Sequence, residues 1–157
     1  MSFRSSCAVV GAFLGLLVGG CQSAPSGPCA GCASPGTQAI VDAVAKDHPE
    51  LLRLTVHGKP EGCDQYCAIA STLPEKVCKP SDPEDLQAMA NGKVVVLQEA
   101  GGADVTVPVM KKGARWESAV GVTFKPNAEL GNEQFVALAT AIAKVVEDRM
   151  VALKLQK

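Results

Sequence analysis

Seven cysteines and two histidines carry most of the chemistry that this chain could perform. Cys63 and Cys67 flank a short Asp-Gln-Tyr insert, Cys78 follows, and His57 precedes them all. Thiolates and an imidazole in one neighbourhood are donors that zinc or copper accepts. His57, Cys63, Cys67 and Cys78 therefore form a possible four-ligand set, with His48 as a further donor. The same thiols could instead make a staple, Cys78 to Cys63 or Cys67, worth roughly 3 kcal/mol for a loop of this length. Cys29-Ala30-Gly31-Cys32 has redox or zinc-knuckle spacing. No His follows it, so it is not a haem-attachment site, and no strand–helix unit surrounds it as a thioredoxin-like role requires. Ser71 and Thr72 lack a recognisable His and carboxylate partnership. No Gly-rich phosphate loop precedes a helix. Glu84 and Asp85 sit at a helix start, where the helix dipole favours them without any catalytic role. The residues imply a non-enzymatic protein with no cofactor.

The N-terminus decides between metal and disulfide. Arg4 precedes an apolar run over residues 8–20, too short to span a bilayer as a stable helix. The run ends Leu17-Val18-Gly19-Gly20-Cys21. This resembles the lipobox of bacterial lipoproteins, with Val18 where that family usually has Leu. The resemblance implies cleavage before Cys21 and a diacylglyceryl group on its thiol. Two or three acyl chains on one residue anchor stably, whereas one does so only marginally. Gln22, where an Asp would favour retention in the inner membrane, leans towards the outer membrane. The expected location is the cell envelope, facing the periplasm or the exterior. Disulfides persist in such a compartment, and the spacing matches no recognised zinc pattern, so pairing among Cys29, Cys32, Cys63, Cys67 and Cys78 is favoured over metal.

Residues 21–36 are rich in Pro, Gly and Ser and have no hydrophobic period, which is the composition of a tether. The folded domain is expected over residues 37–157, after a signal peptide at 1–20. The formal net charge of -1, from 15 basic and 16 acidic residues, creates no field that would attract nucleic acid. One Trp, one Tyr and four Phe leave few faces on which bases could stack.

The elements that position these residues follow from pattern. Thr37 can cap a helix that ends at His48-Pro49. Residues 51–57 alternate as a strand, and a second strand covers 66–73. Ser81 or Asp82 caps a middle helix with Pro83 in its first turn, and Asn91-Gly92 stops it. Strands are predicted over 93–99, 104–111 and 115–125. The last helix carries Phe135, Leu138, Ile142, Val145, Val146, Met150 and Leu153 on one stripe. Tight turns between the last strands force antiparallel neighbours. The expected fold is α+β, with a central five-stranded antiparallel sheet and N-terminal, middle and long C-terminal helices.

Two segments carry a second resemblance. Ile69-Ala70-Ser71-Thr72-Leu73-Pro74-Glu75-Lys76-Val77-Cys78-Lys79 resembles the I-A-S-x-x-P-x-x-I-G-K run of Cache domains, which are extracytoplasmic PAS-like sensors. Val105-Thr106-Val107-Pro108-Val109, with Ala119-Val120-Gly121-Val122 beyond a turn, resembles their closing hairpin. Cys78 stands where that family usually has Gly, and Glu117-Ser118 replaces its Ile-Gly. The resemblance implies a pocket on one sheet face, covered by the middle helix and its loops. On the last strand Trp116, Val120, Val122 and Phe124 share one face, and Arg115, Glu117, Ala119, Gly121 and Thr123 the other. Small residues beside two charges suit a ligand site, so Arg115 and Glu117 are candidates, as are Asp104 and Tyr66. A solvated Arg115–Glu117 pair worth under about 1 kcal/mol is the plainer alternative. The sequence therefore points to a tethered module binding a small molecule or an envelope protein. The alternative is an envelope thiol or metal protein using the Cys63, Cys67, Cys78 and His57 cluster.

Overall fold

The computed structural model describes residues 31–99, 102–127 and 129–155. The signal-like segment, Cys21 and Cys29 lie outside the described residues. The chain runs α1 (Pro35–Asp47), β1 (Leu51–Gly58), β2 (Cys67–Ser71), a 3₁₀ turn at Pro74–Lys76, α2 (Pro83–Asn91), β3 (Val95–Glu99), β4 (Gly102–Lys112), β5 (Arg115–Phe124) and α3 (Asn132–Leu155). Five strands form one antiparallel sheet in the order β2-β1-β5-β4-β3. This is the α+β architecture that the element pattern predicts.

Period-2 alternation gives the sheet two unlike faces. Leu54 and Val56 of β1, Val105, Val107 and Val109 of β4, and Val120, Val122 and Phe124 of β5 point to one side. There they pack with Val41 and Val44 of α1 and with Phe135, Ile142, Val146 and Met150 of α3. Each such side chain contributes roughly 1.5–3 kcal/mol by leaving water, so this layer holds the fold together. The stripe on α3 is rotated from the predicted one. Ala139 and Ala143 are buried against the sheet, while Leu138 and Val145 are exposed. Small alanines let helix and sheet approach closely, which displaces the larger side chains to the rim.

Composition misplaces the start of the fold. Residues 32–36 read as tether, yet Cys32 is buried, Ser34 caps α1 by accepting from the Thr37 amide, and the Ser34 amide donates to Ile69 O. Cys32 forms a disulfide with Cys78. That corrects the expected staple of Cys78 to Cys63 or Cys67. Cys78 has φ 67, in the left-handed region that glycine enters without a Cβ penalty. Glycine is the residue that the Cache resemblance implies at this position.

The middle helix begins and ends as its signals predict. Asp82 is the N-cap, Pro83 opens the first turn, and Gly92 takes φ 64 just past the end. A Cβ on Gly92 would lie 2.3 Å from Trp116 Nε1. Trp116 therefore packs at the end of α2, and does not join Val120, Val122 and Phe124 beneath α1 and α3 as alternation predicts.

Candidate functional site

The second sheet face is buried and polar. Arg53, Thr55 and His57 alternate with the core residues of β1. Register places Thr55 beside Gly121, and Gly121 beside Thr106. Arg53 and Asp104 both flank Thr123. The helix α2 and residues 76–82 lie over this face and enclose a cavity of about 60 Å³. Gly121 leaves the floor open. A Cβ there would meet only His57 Nε2 at 3.8 Å and Thr55 O at 4.0 Å.

Burial without hydrogen bonds would be costly for such groups, and each has a partner. Among the described residues, no buried side-chain nitrogen or oxygen lacks one. Arg53 Nη2 donates to Asp104 Oδ2 at 2.7 Å, and Thr123 Oγ1 donates to Asp104 Oδ1 at 3.0 Å. The hydroxyls of Thr55 and Ser71 bond each other at 2.9 Å. Asp85 ties α2 to the sheet and to its own cap. Its Oδ1 accepts from Thr106 Oγ1 at 3.2 Å, and its Oδ2 accepts from the Asp82 amide at 3.0 Å. Asp85 Oδ2 also lies 3.2 Å from His57 Nδ1, which is 3.0 Å from Ser81 Oγ.

Burial sets the protonation of this pair. It holds the His57 imidazole down to about 4, against the pull of Asp82 and helped by Arg53 and Lys76. It pushes the Asp85 carboxyl up to about 6, against its bonds from Asp82 and Thr106, and helped by Glu84 and Asp82. The 3.2 Å contact would be an ion pair only if both groups were charged, and desolvation opposes both charges. At neutral pH His57 is therefore a neutral imidazole: the Asp85 carboxylate 3.2 Å away favours the proton on Nδ1, which donates to Ser81 Oγ at 3.0 Å. Its Nε2 then keeps a lone pair, directed at the cavity floor beside Gly121. Ser81 and Asp85 share the same ring nitrogen. A Ser–His–Asp relay needs them on opposite nitrogens, so these three are not a nucleophile triad.

The candidates divide by position. Asp104 lines this cavity. Tyr66 and Glu117 line a separate, open concavity near Gly31, at the end of the sheet where Gly58 and Ser118 meet. Glu117 faces Lys112 at 3.5 Å in an exposed pair, and Arg115 is exposed opposite Lys112 in the hairpin. The structure thus does not bring Tyr66, Arg115 and Glu117 to the cavity with Asp104. The four-ligand metal set does not form either. The sulfur of Cys78 is bonded to Cys32, and His57 turns to Ser81 and Asp85. Among the described residues, no group of three or more His, Cys, Asp or Glu is arranged to hold a metal ion. Cys67 is buried beside the Cys32–Cys78 disulfide, with Cys63 packed against the same cluster.

Sequence reasoning missed Arg53, Thr55, Thr106 and Asp85, and assigned His57 elsewhere. The signal was present. Three adjacent strands each place polar or small residues at every second position: Arg53-x-Thr55-x-His57, Asp104-x-Thr106, and Ala119-x-Gly121-x-Thr123.

No protein-family model matches the chain, and no curated protein matches it. Solved structures do match. One is a free methionine-R-sulfoxide reductase from Neisseria meningitidis in complex with its substrate, at 15% identity over 78% of this chain and 81% of that one, with TM-score 0.56. Another is the second GAF domain of DevS from Mycobacterium smegmatis, at 12% identity over 77% of this chain and 95% of that one, with TM-score 0.54. A further structure of the GAF-B domain of DevS gives 11% identity over the same shares, with TM-score 0.52. At such identities the likeness establishes the fold and not the chemistry: the chain has the PAS-like α+β fold found in GAF domains.

Proposed function

We propose that this chain is a lipid-anchored, extracytoplasmic binding module, without catalytic activity, that takes a small polar molecule between its polar sheet face and α2. One observation carries the reading. The sheet sets buried Thr55, His57 and Thr106 and half-buried Arg53 and Asp104 around a cavity, on a face where apolar side chains would stabilise the fold more. The ligand presents a donor to His57 Nε2 and an acceptor to Arg53, which makes a single hydrogen bond to Asp104. Fold neighbours that include GAF domains, and an enzyme solved with its substrate, support a small-molecule role. The lipobox-like run at Cys21 supports the anchor. The shared Nδ1 contact of Ser81 and Asp85 supports binding over acyl transfer.

A thermal-shift screen of small polar metabolites on the full chain tests the reading. A true ligand raises the melting temperature by several degrees at about 100 Kd. Gly121→Val fills the floor of the cavity while its Cβ meets only ordinary contacts, so this variant should fold and lose the shift. No shift across a broad screen, or an undiminished shift in Gly121→Val, contradicts the proposal.

A further inference from the structure

The two edges of the sheet are treated differently. At the β2 edge the chain covers itself. Ala68 N–H donates to Lys79 O at 2.9 Å, Cys78 N–H to Ala68 O at 2.8 Å, and Ser81 N–H to Tyr66 O at 3.0 Å. Ser34 N–H donates to Ile69 O at 2.9 Å, and the Cys32–Cys78 disulfide pins both covering segments. At the β3 edge, among the described residues, no segment does this. The strand pairs with β4 in unbroken register from Val95↔Thr106 to Glu99↔Gly102, and residues 94–99 make no other backbone hydrogen bond to the described residues. An open edge invites another strand, and proteins that stay monomeric blunt theirs with Pro, bulges or mid-strand charges. The strand β3 has none of these between Val95 and Gln98. Apolar side chains on it are exposed: Val94 just before it is 36% exposed and Leu97 within it 39%.

We infer that β3 pairs antiparallel with β3 of a second copy of this chain, closing a two-fold dimer through a continuous ten-stranded sheet. The charge pattern selects this occupant. Lys93-Val94-Val95-Val96-Leu97-Gln98-Glu99 is self-complementary about Val96. Antiparallel pairing centred there sets Lys93 of each copy opposite Glu99 of the other, and Val95 opposite Leu97. A two-fold axis normal to the sheet keeps α2 of both copies on one side and α1 with α3 on the other. The interface is isologous and closes at two copies. A pairing of this length lies at the small end of interface sizes, so the dimer is concentration-dependent.

Sedimentation equilibrium of the full chain in detergent, across the micromolar-to-millimolar range, tests this. The wild type should pass from monomer to dimer. Lys93→Glu and Glu99→Lys alone should each move the transition about tenfold higher in concentration, and the double reversal should restore it to within about threefold. Both positions flank the sheet's outer edge, and melting curves verify that the variants fold. Hydrogen exchange on the wild type gives an independent readout: the amides of residues 94–98 gain protection as concentration rises. A monomer throughout, a dimer indifferent to the single reversals, or concentration-independent exchange in β3 overturns the inference. None of these results bears on ligand binding under α2.

Discussion

Between about pH 4 and pH 6 the buried His57–Asp85 pair holds one titratable proton, and so do the same two groups in the unfolded chain. The two contributions have opposite signs. The lowered pKa of His57 gives stability that is present above 6.5 and lost as pH falls through about 4. The raised pKa of Asp85 gives stability that is present below 3.8 and lost as pH rises through about 6. The slopes cancel over most of this window while both residues are present. Removing one exposes the other. Relative to wild type, Asp85→Asn should lose stability as pH falls from 6.5 to about 4. His57→Gln should lose it as pH rises from about 4 to about 6. Each divergence is on the order of 1–3 kcal/mol, read from urea unfolding at several pH values. Variant profiles parallel to the wild type would show that the pair is not coupled in this way. Asp104, named from the sequence as a candidate beside Tyr66, lines the cavity. Arg115 and Glu117 obey the alternation of β5 yet miss the cavity, because alternation says which face a residue is on and not how far along that face α2 extends. Asp85 was invisible for another reason: a carboxylate in a first helical turn has a sufficient local explanation, and only tertiary structure shows it reaching Thr106 and His57.

At the scale of elements, the segment after β2 is held in place by Cys78 and delivers Lys76, Lys79 and Asp82 to the cavity. Cys32 and Cys78 are 46 residues apart, and chain entropy assigns a cross-link of that span about 4 kcal/mol. The Cys32→Ser/Cys78→Ser variant should lose up to that amount in chemical denaturation. Part of the loss belongs to the backbone and not to the bond, because a side chain at φ 67 carries a steric cost. Cys32→Ser/Cys78→Gly should therefore be about 1 kcal/mol more stable than the serine pair. A glycine variant no better than serine would remove the backbone explanation. Element boundaries were most legible where local chemistry dictates them, as at Asp82-Pro83 and Asn91-Gly92. They were least legible at residues 32–36. Small polar residues there look like linker, and only a long-range disulfide and a cap bring them into the fold.

For the whole molecule, the element order and tight turns carried the fold class: three helices about a five-stranded antiparallel sheet. The division of the helices, with α1 and α3 on the apolar face and α2 on the polar one, was legible only in part. The Cache resemblance implied a middle helix over a pocket, but helical periodicity alone assigns no helix to a face. The proposed anchor acts at this scale too, because it confines the domain to a membrane surface. Metabolic labelling with an alkyne fatty acid should mark the wild-type chain, and Cys21→Ser should abolish the label. A Cys21→Ser chain labelled as strongly as the wild type would contradict acylation at that residue. The central claim concerns where a ligand sits. Backbone NMR of the isotopically labelled full chain, titrated with the molecule that most raises its melting temperature, tests that directly. The amides of Arg53, Thr106 and Gly121 should shift together and saturate with one affinity, while those of Val44, Ile142 and Val146 on the apolar side stay nearly still. Shifts confined to Tyr66, Lys112 and Glu117 at the open concavity would contradict the account.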